Sequence, residues 1–210
     1  MKGGFFLNSG ILFGVAVSAY EHLKAAPADK AGGQNDALVA ILFSAATLEA
    51  FVTELALMAQ SDAALFGHKP LQSVAAVLNE AEASRGSVRL KFLLAKVVLG
   101  GETYDKGSQP YQDFDTLLAI RDAIIHMKPE EITGEPHKLL QRLRAKDLCE
   151  DGQPGVNASW LGQVSTRAVA RWACNTVVAM VEPLKACLPA DSTKVPLAAF
   201  FLSGRYNRVE

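Results

Sequence analysis

Three ionisable side chains interrupt an apolar run just past the middle of the chain: Leu117-Leu118-Ala119-Ile120-Arg121-Asp122-Ala123-Ile124-Ile125-His126-Met127-Lys128-Pro129. Together they could bind a phosphate and move a proton. A guanidinium holds a phosphate by paired, charge-assisted hydrogen bonds and offsets charge that grows in a transition state. An imidazole takes or gives a proton near neutral pH. Asp122 and His126 are four residues apart, so on a helix they share a face. The carboxylate is therefore expected to hydrogen-bond the imidazole and fix its tautomer. Arg121 and His126 are five apart, which places them about 140° from one another around a helix of 3.6 residues per turn. One copy of the helix does not easily close both groups on one atom. Two copies across a two-fold axis do, each presenting its groups to the other. Such a site suits cleavage of an RNA phosphodiester, with the imidazole acting at the 2′-hydroxyl or the leaving oxygen. That scheme needs no metal and no cofactor.

The elements that must position these groups read as helices. Asn8-Ser9 caps a first helix from Ile11 to Leu23. Asp36 caps a long helix to about Gln60, with Leu38, Ile41, Leu42, Ala45, Leu48, Val52, Leu55, Ala56 and Ala59 as its apolar stripe. A short turn is expected over Ser61–Phe66, then a helix from Leu71 to Ala83. Ser87 caps another from Val88 to Leu99, ended by Gly100-Gly101. Pro110 opens the motif helix, which stops before Pro129 because a proline disfavours helical geometry in its neighbour. His137 to Leu148 reads as a short basic helix. Loops fall at Glu130–Pro136 and Glu150–Asn157. Asn157 or Ser159 starts a last long helix to about Cys187. Val195–Leu202 is an apolar tail. The expected architecture is an all-α, single-domain helical bundle. Residues 1–35 supply an N-terminal helix and loop, 36–190 the bundle and 191–210 the tail.

Composition narrows the class. The 210 residues suit one domain, half of them are apolar, and 21 basic against 22 acidic side chains give a net charge of -1. A generic DNA-coating protein would be strongly basic. Cys149, Cys174 and Cys187 have no zinc-ligand spacing and read as free thiols in a reducing, cytoplasmic compartment. The N-terminal apolar stretch is broken by Gly3, Gly4, Gly10 and Gly14, unlike a secretory signal. No run of the ~20 apolar residues needed for a membrane span is expected. None of the Gly-Gly pairs has the lysine and hydroxyl residue of a phosphate loop, and no Gly-x-Ser-x-Gly elbow occurs.

The pattern Arg121-Asp122-x-x-x-His126 resembles the Arg-x4-His signature of HEPN domains, the higher eukaryote and prokaryote nucleotide-binding superfamily. Ala45-Ala46-Thr47-Leu48-Glu49-Ala50-Phe51-Val52 resembles the long early helix of that family. The resemblance spans Asp36 to Met127. It implies an all-α bundle that dimerises through the motif helices. It also implies, as in many members, a metal-independent endoribonuclease of toxin–antitoxin or phage-defence systems. Carried over, Arg121 and His126 would be catalytic, with Asp122 positioning them. The partners implied are a second copy, RNA or a nucleotide, and an antitoxin protein, with no membrane. Other members keep the bundle without cleaving, so a non-catalytic module binding nucleotide, RNA or protein is the competing expectation.

Further charges stand near the motif. Glu49 lies on an apolar stripe and calls for a partner, which Arg121, Lys91 or Arg89 could supply. Glu49 and Lys91 are therefore candidate supporting residues. Lys138, Arg142 and Lys146 recur every four residues and could track an RNA backbone, as could Arg167 and Arg171. The plainer expectation for both groups is a solvated helix face.

Overall fold

The computed structural model describes residues 7–26, 33–66, 69–127, 138–149, 159–188 and 206–210. These form an all-α bundle without a strand among the described residues. In chain order the helices are α1 (Ser9–Ala25), α2 (Gly33–Phe66), α3 (Lys69–Ala83), α4 (Val88–Gly100), α5 (Tyr111–Ile125), α6 (Lys138–Arg144), α7 (Trp160–Val164) and α8 (Arg167–Lys185). The expected loops at Glu130–Pro136 and Glu150–Asn157, and the apolar stretch Val195–Leu202, lie outside the described residues.

The centre of the bundle is α2, which packs against α1, α3, α4, α5 and α8. Its Ala40, Ile41, Ala45, Leu48, Phe51 and Leu55 are fully buried. Small residues on this helix let its neighbours approach closely, and the larger ones fill the gaps between them. A connected series of aromatic rings crosses the core. Tyr206 meets Phe13 and Phe51, Phe51 stacks on Phe92, Phe92 packs tilted against Phe114, and Phe114 meets Tyr111 edge-on, with centroid separations of 4.9–6.2 Å. This series ties the C-terminal residues and α1 to α4 and α5, and so fixes the base from which α5 carries the motif outward.

Several expectations are corrected. The turn proposed after Gln60 is absent, because no glycine or proline interrupts the chain until Gly67, and α2 runs on to Phe66. The last helix is two. Ser165 leaves helical geometry, and Thr166 is extended, its hydroxyl accepting from the Val169 N–H at 3.2 Å to start α8 afresh. Likewise the short basic helix ends at Arg144, and Lys146 follows in turns. Gly33–Ser61 is long and apolar enough, by length and composition, to cross a membrane, with a mean hydropathy of 1.8. In the fold this segment carries Asp36, Glu49 and Glu54 and serves as the packed central helix. An apolar core helix and a membrane span share that composition.

Local caps explain other boundaries. Ser87 accepts from the Leu90 N–H at 3.2 Å, as its place before α4 demands. Gly101 closes that helix with φ +77°, a left-handed conformation that favours glycine. Asn8 stands at the N-cap of α1, yet its side chain makes no capping bond. The Glu54 carboxylate of α2 caps α1 instead, accepting from the backbone N–H groups of Asn8 and Ser9 and from the Ser9 hydroxyl.

Candidate functional site

The first three turns of α5 are buried through Tyr111, Phe114, Leu117, Leu118 and Ile120. Its last turn leaves the core. Arg121 to Ile124 are half-buried, whereas Ile125, His126 and Met127 are exposed. The motif therefore straddles the point where the helix emerges, with its arginine on the bundle wall and its histidine in solvent.

Arg121 bridges two carboxylates. It forms an ion pair with Glu49 of α2 and a second, at 3.0 Å, with Asp122. Glu49 is thus the partner that the sequence required, and it fastens the motif helix to the central helix. The pair is partly open, with side-chain exposures of 24% for Arg121 and 36% for Glu49. In this setting an ion pair contributes about 0–1 kcal/mol, so an incoming phosphate can displace a carboxylate at small cost. The local balance is two acids to one base.

His126 caps α5, its backbone N–H donating to the Asp122 carbonyl at 3.0 Å. The imidazole makes no hydrogen bond or ion pair among the described residues. The expected Asp122–His126 hydrogen bond does not form, because Asp122 turns to Arg121 one residue away. Arg121 faces α2 while His126 stands exposed, in keeping with the ~140° separation set by helix geometry. Within one chain the two groups do not share a target. Ile125 and Met127, which flank His126, are 58% and 49% exposed.

Other candidates are placed elsewhere. Lys91 is buried and paired with Glu82 across the α3–α4 turn, not with Glu49. It sits in the first turn of α4, where the end of α3 supplies the nearest acid. Two residues of the basic stripe are engaged by α5: Lys146 meets Asp113 at 2.7 Å and Arg142 meets Asp115 at 3.3 Å. Asp115 is shared with Arg89, at 2.6 Å, so that trio keeps one net positive charge. Lys138 is exposed and has no partner among the described residues. No group of three or more His, Cys, Asp or Glu side chains able to hold a metal forms among the described residues.

Two features were not assembled by sequence reasoning, although Lys146, Arg167 and Arg171 of the second were named in it as possible RNA contacts. The first is the buried chain Tyr206–Ser9–Glu54. The Tyr206 hydroxyl donates to Ser9 Oγ at 2.8 Å, and Ser9 in turn donates to Glu54, which is only 6% exposed. Burial pushes the Tyr206 phenol up to about 12, with the Glu54 charge adding and the Ser9 hydrogen bond opposing. Asn175 of α8 holds the next residues, accepting from the Val209 N–H at 2.9 Å and donating to its carbonyl at 3.1 Å. An acid inside a helix buried nearly all round was the available signal for Glu54.

The second is a cleft of about 1060 Å³ between α8, the start of α5 and the C-terminal residues. Arg167, Arg171, Arg208, Lys146 and Trp172 line it, with Asp113, Asp147 and Glu182 as its acids. Arg167 donates to the Leu23 and Ala26 carbonyls and so caps the end of α1. Comparison of the chain with protein-family models, with curated proteins and with solved structures returned no match.

Proposed function

We propose that this protein is a cytoplasmic, metal-independent endoribonuclease of HEPN type, with a site completed by two copies of the chain. The observation that carries the reading is the arrangement at the end of α5. Arg121 is held against Glu49 and Asp122, and His126 stands exposed beyond it between two exposed apolar side chains. Pairing of two such ends would bury Ile125 and Met127 and bring Arg121 of one copy toward His126 of the other. In the reaction the RNA 2′-oxygen attacks phosphorus and the bond to the 5′-oxygen breaks. His126 takes the 2′-hydroxyl proton, and water protonates the departing 5′-oxygen. Arg121 exchanges a carboxylate for the phosphate and offsets its added charge. Toxin–antitoxin or phage-defence action, with an antitoxin protein as partner, is the setting that accords with this chemistry.

The test is cleavage of RNA in the presence of a chelator. His126→Ala and Arg121→Ala should each abolish it. Mixing the two variants should restore activity, since a mixed dimer keeps one intact Arg121/His126 pair and random pairing gives about a quarter of the wild-type rate. Persistent cleavage by folded His126→Ala, or no recovery on mixing, removes the composite site.

A second reading is a non-catalytic module that binds nucleotide, RNA or a protein partner. The excess of acid around Arg121 favours it, because phosphate must there compete with two carboxylates. Binding of RNA without turnover by the wild-type protein would decide for it.

A further inference from the structure

We propose that the cleft between α8, the start of α5 and the C-terminal residues binds single-stranded RNA, as a second contact apart from the Arg121/His126 motif. The choice of RNA rests on the activity proposed above. The cleft's own chemistry asks for a phosphodiester strand with accessible bases.

Its charges are free to act. Arg171 and Arg208 are exposed and make no hydrogen bond or ion pair among the described residues. Among the described residues Arg167 is bound only to neutral carbonyls, so its charge also remains. Of the acids, Asp113 is neutralised by Lys146, and Glu182 is paired with Lys185 at 3.6 Å. Three guanidinium charges therefore stand against the single carboxylate of Asp147. On a chain with a net charge of -1 that concentration is local, not a property of the whole surface. Concave walls strengthen the attraction for a polyanion.

Trp172 supplies the other component. It follows Arg171 on α8, is half-buried in the cleft wall, and its indole N–H has no acceptor among the described residues. An aromatic face beside guanidinium groups is the combination on which unpaired bases stack, whatever their sequence. The volume of about 1060 Å³ lies at the upper end of what small-ligand pockets reach.

The cleft also leads to the motif. Lys146 pairs with Asp113 and Arg142 with Asp115, so the segment from Arg142 to Lys146 lies along the first half of α5. The net positive trio of Arg89, Asp115 and Arg142 continues the positive path along the first half of α5. That helix spans about 22 Å at 1.5 Å per residue, within reach of a short strand. RNA held at α8 would thus extend toward His126.

The experiment measures binding of a fluorescent single-stranded RNA of roughly 12 nucleotides, a length in the range that single-strand sites cover. It uses the full His126→Ala chain in chelator, so that the probe stays whole. Adding Arg171→Glu and Arg208→Glu together should weaken binding at least tenfold. Two lost phosphate contacts should flatten the dependence of log Kd on log salt by about 1.4. Arg171→Gln with Arg208→Gln should act in the same direction, and it serves if charge reversal perturbs folding. RNA should quench the protein's tryptophan fluorescence, and Trp172→Phe should remove that quenching. Unchanged affinity and salt slope in the folded arginine variants would overturn the proposal, as would quenching that survives Trp172→Phe. Failure of the two readings is distinguishable. Loss of cleavage function with intact cleft binding removes the nuclease, whereas His126-dependent cleavage indifferent to Arg171 and Arg208 removes the cleft.

Discussion

Replacing Glu54 with alanine should be among the most damaging single changes outside the apolar core. The carboxylate is 6% exposed and accepts from three donors: the N–H groups of Asn8 and Ser9, and the Ser9 hydroxyl. Hydrogen bonds to a charged acceptor contribute about 1.5–3 kcal/mol each, but they are not additive, and the Ser9 hydroxyl can turn to another acceptor. Loss of the negative charge at the start of α1 removes a favourable interaction with the helix dipole as well. A net loss of about 3–5 kcal/mol follows. For a chain of this size that lowers Tm by roughly 6–20 °C. Urea unfolding of wild type, Glu54→Gln and Glu54→Ala should give that order of stability, since glutamine retains one acceptor oxygen and loses the charge. A cycle with Tyr206→Phe should show coupling of about 0.5–3 kcal/mol, because Ser9 links the two side chains. A loss below about 1 kcal/mol for folded Glu54→Ala, the scale of an ordinary surface substitution, would refute a structural role for this acid.

Alkaline stability should be set by buried tyrosines. Tyr206 has its pKa raised from 10.0 to about 12, and burial pushes Tyr104 higher still. Above pH 10 the unfolded state therefore releases protons that the folded state keeps. Stability contributed by Tyr206 is complete below that pH and falls toward pH 12 by about 1.4 kcal/mol per unit. Urea titrations between those values should show the decline, with a shallower slope in Tyr206→Phe; stability that rises there would contradict the sign. Among the cysteines, Cys174 should react slowest with a thiol reagent in the native state, because it is fully buried and its thiol is pushed up to about 11 by that burial. Mass spectrometry after brief labelling checks this, and early modification of Cys174 would count against the packing around α8. Glu49→Ala should change stability by no more than about 1 kcal/mol, since its pair with Arg121 is partly open. RNA cleavage by the same variant should drop at least tenfold, with partial rescue in Glu49→Asp. Equal activity in Glu49→Ala and wild type would show that Arg121 needs no such orientation.

The motif and its helix were legible because their signals are local. Pro110 precedes α5, Pro129 follows its end, and the spacing of Arg121, Asp122 and His126 carries its own geometry. The Ser87 cap of α4 was legible for the same reason. Glu49 was recognised as an acid in need of a base, and Arg121 was among the bases named for it. Asp122 was assigned to His126 on helical spacing alone. The nearer guanidinium takes it, because an always-charged fork donor one residue away pairs strongly with a carboxylate. The basic stripe illustrates a related limit. Its period was visible, but Asp113 and Asp115 on another helix neutralise much of it.

Residue types and their periods determined that this chain is helical, where most helices lie, and which three side chains could do chemistry. Those properties depend on interactions within a few residues along the chain. Which charges remain free was decided only by the tertiary structure. Glu54 reaches Ser9 across 45 positions, and Asn175 holds Val209 across 34. The latter clamp sets Arg208 in the cleft beside Arg171 and Trp172. Helical periodicity marks a buried face but not the face that meets it, so pairings and clefts between helices emerge only when the bundle closes.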